Sequence, residues 1–227
     1  HWKSALTTDL QTWYIILHTR ADHPTIEQAI RDTWTQKLSA HERFDFIVGS
    51  DQSEPQHDPV QNYLALPVAE TFANILRKTL QAWDYMLKTN ASWQWTIRTN
   101  NGTYFQPQRL RNLPRQNFFG GHITFSDFVG GWFMVFSRDV IERLVAYVQA
   151  HPHQVDQTTV GDDVWLSHTV VRQLHVPMVQ LDTVYWTNEE PVATLSKTAQ
   201  AYRLSLPLGP NKTGRVSRFY SLHEQWT

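Results

Sequence analysis

Apolar residues recur along this chain in two alternating periods. Tyr14 to Arg20, YIILHTR, is a continuous apolar run that leaves polar residues at its end, the pattern of a buried parallel strand whose carboxyl edge carries chemistry. After the turn at Asp22-His23-Pro24, Thr25 and Gln28 have capping-box spacing, and Ile26, Ala29, Ile30, Thr33, Trp34 and Leu38 repeat on one helix face. Phe44 to Val48 predicts a second strand ending in Gly49-Ser50-Asp51, and the polar stretch 51–65, with its prolines, predicts a loop. Helical period returns from Val68 to Leu87, with Phe72, Ile75, Leu76, Thr79, Leu80, Trp83 and Leu87 on the buried side. Trp93 to Asn100 alternates apolar and polar residues, and Gln108 to Leu113 predicts a short helix.

The most structured stretch follows. Gly130-Gly131 feeds the apolar run Trp132 to Phe136, which ends at Ser137, placed to cap an amphipathic helix. Further on, Asp162 and Asp163 precede the helical pattern Val164, Trp165, His168 and Val171, at an end where negative charge is favoured. Val176 to Val184, with Tyr185-Trp186 at its edge, predicts a last strand, and the tail from Asn188 is polar and irregular. Strand, helix, strand from the outset predicts an α/β protein with a mostly parallel central sheet flanked by helices.

Composition narrows this picture. At 227 residues the chain suits one large α/β domain better than two. A net charge of −1 offers no electrostatic case for nucleic acid. No cysteine is present, which excludes disulfides, thiolate zinc sites and a cysteine nucleophile. That suits a reducing compartment, and a cytoplasmic location is the expectation. No apolar run approaches the roughly 20 residues of a membrane span. The first residues, His1-Trp2, lack an initiator Met, so an anchor removed ahead of them stays open. Aromatic residues make up 13% of the chain, enough to stack on sugars or bases and equally suited to a large core.

The order G-G-[aromatic]-apolar-S-x-D and then D-D-V resembles the fringe and β-1,3-galactosyltransferase group of glycosyltransferases, where the pattern is G-x-G-Y-x-x-S and then [ED]-D-V. QAIRDTW, Gln28 to Trp34, is similar to that family's R-x-x-I-R-x-T-W block. ETFANILRKT, Glu70 to Thr79, is similar to its D-x-Y-x-N-L-T-x-K-T block, with Asn74, Lys78 and Thr79 on matching positions. The matches span about residues 14 to 171 in the family's order. The resemblance implies a GT-A-like single domain over 1–227. Its Rossmann-like nucleotide-sugar half would cover about 13–105, and its acceptor and catalytic half about 106–227.

It also implies an inverting hexosyl transfer from a nucleotide sugar, a UDP-sugar by resemblance alone, to a hydroxyl of a glycan or protein. Asp163 falls on the general-base position, and Asp162 beside it would orient a hydroxyl; the plain alternative is that both only cap a helix. Donor contacts would come from His18, Thr19, Arg20, Arg31, Asp51, Lys78, Arg98, Thr99, Asn100 and Asn101. Lys78 otherwise reads as a solvated helix residue, Asp51 as a surface-loop carboxylate, and Arg31 as a helix residue paired near Asp32. Gly130 and Gly131 would let the acceptor approach the backbone, and Trp132 would stack on a pyranose or belong to the core.

Chain and family part at one place. Where the family carries D-D-D-[TV]-[YF], whose carboxylates hold a divalent metal, this chain has Asn100-Asn101-Gly102-Thr103-Tyr104. An amide oxygen brings no charge, so affinity for Mn²⁺ or Mg²⁺ should fall. Three outcomes stay open. The metal is dispensable, with Arg98, Arg20 or Lys78 neutralising the diphosphate; it binds weakly through Asn101, His223 and the donor's phosphates; or the site is inactive. His223 belongs to FYSLH, a loose echo of the family's C-terminal F-H-S-H segment. The rival reading is a non-catalytic sugar- or nucleotide-binding module on the same fold. An unrelated nucleotide enzyme lacks support, since neither G-x-G-x-x-G nor a G-K-[ST] loop is present.

Overall fold

The structure, a computed structural model, describes residues 10–18, 24–89, 91–186, 193, 195–204 and 213–226. The first half runs β1 (Thr12–Leu17), α1 (Pro24–Asp32), β2 (Glu42–Gly49), β3 (Gln56–Asp58), β4 (Tyr63–Leu66), α2 (Ile75–Lys88), β5 (Trp95–Asn100) and β6 (Thr103–Phe105). The second half runs β7 (Phe119–Thr124), β8 (Phe128–Ser137), α3 (Arg138–Ala150), α4 (Pro152–Asp156), α5 (Asp162–His168), β9 (Met178–Gln180), β10 (Thr183–Trp186), β11 (Ala201–Leu204) and α6 (Thr213–Trp226).

Eight strands form a central sheet in the order β3-β4-β2-β1-β5-β8-β7-β9. The block β4-β2-β1-β5 is parallel, and β8 then enters antiparallel to β5. β1 is the clearest case of sequence dictating position. Its alternate residues serve opposite faces, so an apolar run with no polar alternation demands cover on both sides. Trp13 and Ile15 join the core under α2 and α3, while Tyr14 and Ile16 join the one containing α1. A second sheet, β10-β11-β6, lies with that latter core, which also takes Phe219 and Leu222 of α6. No helix among the described residues is long and apolar enough to cross a membrane.

Several boundaries differ from the sequence reading, each for a local reason. The strand read as Tyr14 to Arg20 starts at Thr12 and ends at Leu17; Thr19 and Arg20 lie outside the described residues. The presumed loop 51–65 contains β3 and most of β4, because Leu64 and Leu66 alternate into the core. The helix expected from Val68 begins at Ile75. A 3-10 turn, Phe72–Asn74, precedes it, and Phe72 is 84% exposed rather than buried. Gln108 to Leu113 yields only a 3-10 turn, Pro107–Arg109.

The capping box at Thr25 is not used: α1 starts at Pro24, whose fixed φ and missing N–H suit a first turn, and Gln28 instead donates to Asp32 at 2.7 Å. Ser137 stands at the cap of α3, but its hydroxyl accepts from Phe118 N–H at 2.9 Å and donates to Asp139 at 2.6 Å, joining β7's approach to the helix. The strand read over Val176 to Trp186 is two, β9 and β10, in different sheets. The tail read as irregular contains β11 and α6.

Candidate active site

Ligands of open α/β sheets bind beyond the carboxyl ends of the parallel strands, where strand direction changes. Here β1 and β5 end side by side, with Leu17 opposite Asn100, and antiparallel β8 places Thr99 opposite Phe133 at the same edge. A cleft of about 560 Å³ opens there, with the start of α5 among its walls.

One wall is acidic. Asp162 and Asp163 occupy the first turn of α5, where orphan backbone N–H groups favour carboxylates. Asp163 Oδ2 accepts from Gly131 N–H at 3.0 Å, and Oδ1 from Val164 N–H at 2.9 Å. The carboxylate is thus clamped between β8 and its own helix, and each oxygen retains a second lone pair. Asp162 accepts from the guanidinium of Arg98, which reaches across from β5 and also donates to Gly131 C=O. The Arg98 side chain is only 4% exposed, so the pair is desolvated and the loss of either partner strands the other. A Cβ on Gly131 would collide with this guanidinium and stand 3.3 Å from Asp163 Cβ. The space beside the Gly131 Cα is therefore taken by Arg98 and Asp163, while the residue itself lines the cleft.

Further cations come from α2, β11 and α6. Lys78 of α2 is buried and donates to Glu70 at 2.6 Å and to His18 C=O at 3.2 Å, while Glu70 also accepts from Gly49 N–H. Lys78 is therefore neither a solvated helix residue nor a free cation: it clasps the ends of β1 and β2 to α2. Arg203 of β11 donates to Asn100 Oδ1, and Arg215 of α6 donates to Asn101 Oδ1 at 3.3 Å. Burial lowers the pKa of both arginines. Tyr185 raises that of Arg203 and the charge of Arg98 lowers it; the charge of Arg203 further lowers that of Arg215. Gly102 N–H donates to Asn100 Oδ1 at 3.0 Å, closing the β5–β6 turn around these contacts.

These residues do not fit a divalent cation. A hard cation takes oxygen ligands, chiefly carboxylates, but the amide oxygens of Asn100 and Asn101 already accept from guanidinium groups. Among the described residues no cluster of three His, Asp or Glu side chains lies together. His223 is not in the cleft: it sits eight residues along α6 from Arg215, roughly 12 Å by helical rise. Its pKa is lowered, first by burial and then by the charge of Lys37, while Glu224 raises it.

Of the residues singled out by sequence, His18, Lys78, Arg98, Asn100, Asn101, Gly131, Trp132, Asp162 and Asp163 line the cleft. Thr99 is buried and donates to Trp132 C=O at 2.7 Å, fastening β5 to β8. Arg31 faces elsewhere, paired with Glu27 at 2.9 Å and stacked 4.8 Å from the Phe46 ring. Asp51 lies on an exposed bend after β2, and Gly130 packs against Thr124 and Trp132. Trp132 is 6% exposed, with Tyr185 edge-on to its ring at 5.8 Å. Half-exposed Tyr185 is the ring that meets the cleft, joined at the mouth by Phe72.

Arg203, Arg215, Tyr185 and Glu70 were not singled out by sequence. The alternation in AYRL at Ala201–Leu204 is the one local hint of a strand that presents an arginine.

No family model matches the chain, and no curated protein matches it in sequence. Among solved structures, 132 chains match. One is the crystal structure of a glycosyltransferase involved in the glycosylation of the major capsid of PBCV-1. It is 10% identical, with a TM-score of 0.51 over 93% of this chain and 98% of that one. The architecture is that of a GT-A-like glycosyltransferase fold. At this identity the likeness carries the fold alone, and the chemistry has to be argued from the cleft.

Proposed function

We propose that the protein is a glycosyltransferase that moves a sugar from a nucleotide sugar to an acceptor hydroxyl with inversion. The observation that carries this reading is the pair of opposite charges brought to one cleft: the Asp163 carboxylate and, beside Asn100, the Arg203 guanidinium both line it.

The chemistry follows from that separation of charge. The acceptor oxygen attacks the anomeric carbon while the bond to the donor's diphosphate breaks, and the leaving oxygen takes the electron pair. The acceptor proton passes to Asp163 as the new bond forms. Negative charge gathering on the diphosphate meets the cations of the cleft. One displacement with one base inverts the anomeric centre, whereas a retaining double displacement needs a second carboxylate free to attack. Asp162 is held by Arg98 and is poorly suited to that part. Tyr185 and Phe72 offer rings to a pyranose face. The D-D-V and G-G stretches that meet here are also those that resemble the fringe-like enzymes, which supports a UDP-sugar donor and a glycan or glycosylated protein acceptor.

Turnover of a panel of UDP-sugars, assayed with acceptor glycans in EDTA and again with Mn²⁺, tests the reading. Asp163→Asn is nearly isosteric and removes the base; its amide oxygen can serve Gly131 N–H or Val164 N–H but not both, so an unfolding midpoint is measured beside turnover. The expected loss in kcat is about 10²-fold or more, with donor affinity retained. Donor binding without turnover under any condition would favour a non-catalytic module.

A further inference from the structure

We propose that Arg203 and Arg215 form a metal-free diphosphate site, a guanidinium pair standing where a divalent cation would otherwise bridge the donor's two phosphates. The inference deepens the transfer reading and rests on it for the identity of the ligand.

The two side chains arrive from separate elements and converge on one turn. Arg203 Nη1 and Arg215 Nη1 lie 2.7 and 3.4 Å from the point that a Cβ on Gly102 would occupy. Glycine is what lets the Arg203 guanidinium close on the β5–β6 backbone, with Arg215 in van der Waals range beside it. Elsewhere in the cleft the cations have carboxylate partners, Lys78 with Glu70 and Arg98 with Asp162. Among the described residues neither Arg203 nor Arg215 meets a carboxylate, and Arg215 Nε is buried without a hydrogen-bond partner.

Such an arrangement is unfavourable without an anion. Burial and mutual repulsion both disfavour the charged guanidinium groups, as their lowered pKa values reflect. Arg215 also sits in the first turn of α6, the end at which the helix dipole repels a cation and attracts an anion. A diphosphate would reverse each of these costs, since its oxygens match the guanidinium fork bidentately. The asparagines then acquire a reason. A carboxylate at position 100 or 101 would pair with its arginine and neutralise it, whereas an amide oxygen orients the guanidinium and leaves its charge for the ligand.

The test is calorimetric titration of the full chain with inorganic pyrophosphate in EDTA. The expected result is saturable binding that Mn²⁺ does not strengthen. Arg203→Gln and Arg215→Gln should each weaken it about tenfold or more, the loss of a charge-assisted hydrogen bond. Asn101→Asp is nearly isosteric and should weaken binding comparably by tying up Arg215, with an unfolding midpoint no lower than that of the wild type showing that the fold is intact. Binding that requires Mn²⁺, or that survives all three substitutions, overturns the proposal. The two readings fail separately. Metal-free pyrophosphate binding lost in the variants, with no nucleotide-sugar turnover, sinks the transferase and leaves the anion site. Turnover that demands Mn²⁺ and is indifferent to Arg203→Gln does the reverse.

Discussion

Single residues in and behind this cleft are held by several partners at once, and burial and hydrogen bonds pull against each other in setting their charge. Glu27 illustrates the balance. Burial alone would raise its pKa, but hydrogen bonds from His18, Tyr63 and Arg31 outweigh it and hold the carboxyl at about 2, against an ordinary 4.5. His18 is buried at the edge of the cleft, so Glu27 supports that edge from behind. A depressed folded-state pKa contributes stability that is present above the unfolded value and is lost as pH falls toward the folded one. The wild type should therefore exceed Glu27→Gln in stability by on the order of 1 kcal/mol near pH 6, after discounting for solvent screening, and this advantage should vanish between about pH 5 and pH 2. Urea midpoints of both proteins across that range check it. A difference that stays constant with pH would mean that Glu27 contributes by shape rather than by charge.

Elements bring these residues together, and here the legibility of the sequence divides by range. β1, β5 and β8 were readable because burial on both faces imposes long apolar runs, and the α5 start was readable from its paired aspartates. β3 and β4 were missed because three or four residues carry too little period to outvote prolines and polar neighbours. Arg203 was missed for a different reason: its partner Asn100 lies 103 positions away, and no local spacing encodes that pairing. The glycine pair is legible in the sequence, but the contact of Gly131 with Arg98 is not, since that arginine arrives from another strand. The β8–α5 junction makes this testable. Gly131→Ala sets a methyl against the Arg98 guanidinium, which is buried and cannot swing away without leaving Asp162. Overpacking of this kind costs about 1–3 kcal/mol, and here it should also shift Asp163, which hangs from the same residue's N–H. A thermal midpoint lowered by roughly 2–12 °C is expected, together with a fall in turnover steeper than in donor binding. Gly130→Ala, facing Thr124 and Trp132 at 3.2 Å, should leave turnover far less affected. Equal losses for the two substitutions would remove Gly131 from its special place in the cleft.

At the scale of the molecule, formal charge nearly cancels, −1 over 227 residues, so any recognition of an anionic donor must come from how charge is sorted rather than from its sum. The sorting lies along the sheet edge: two cations that meet no carboxylate among the described residues gather at the β5–β6 turn, and an aspartate clamped by backbone lines the same cleft on α5. The cluster around the β5–β6 turn is assembled from β5, β11 and α6, with Arg203 lining the cleft and Arg215 standing against Asn101. A ligand that bridges them should therefore stabilise the folded state as a whole. At a concentration about a hundred times its dissociation constant, a ligand specific for the native state adds about 2.7 kcal/mol. For a chain of this size that corresponds to a midpoint raised by roughly 5–10 °C. UDP should produce such a shift in EDTA, UMP a smaller one and uridine almost none, because the phosphates and not the base meet the arginines. Added salt should erode the UDP shift, since partly exposed charges are screened within about 8–10 Å at ordinary ionic strength. Differential scanning calorimetry over the three ligands decides the matter. If uridine stabilises as much as UDP, affinity resides in the aromatic mouth of the cleft around Phe72 and Tyr185, and the charge sorting is incidental to donor binding.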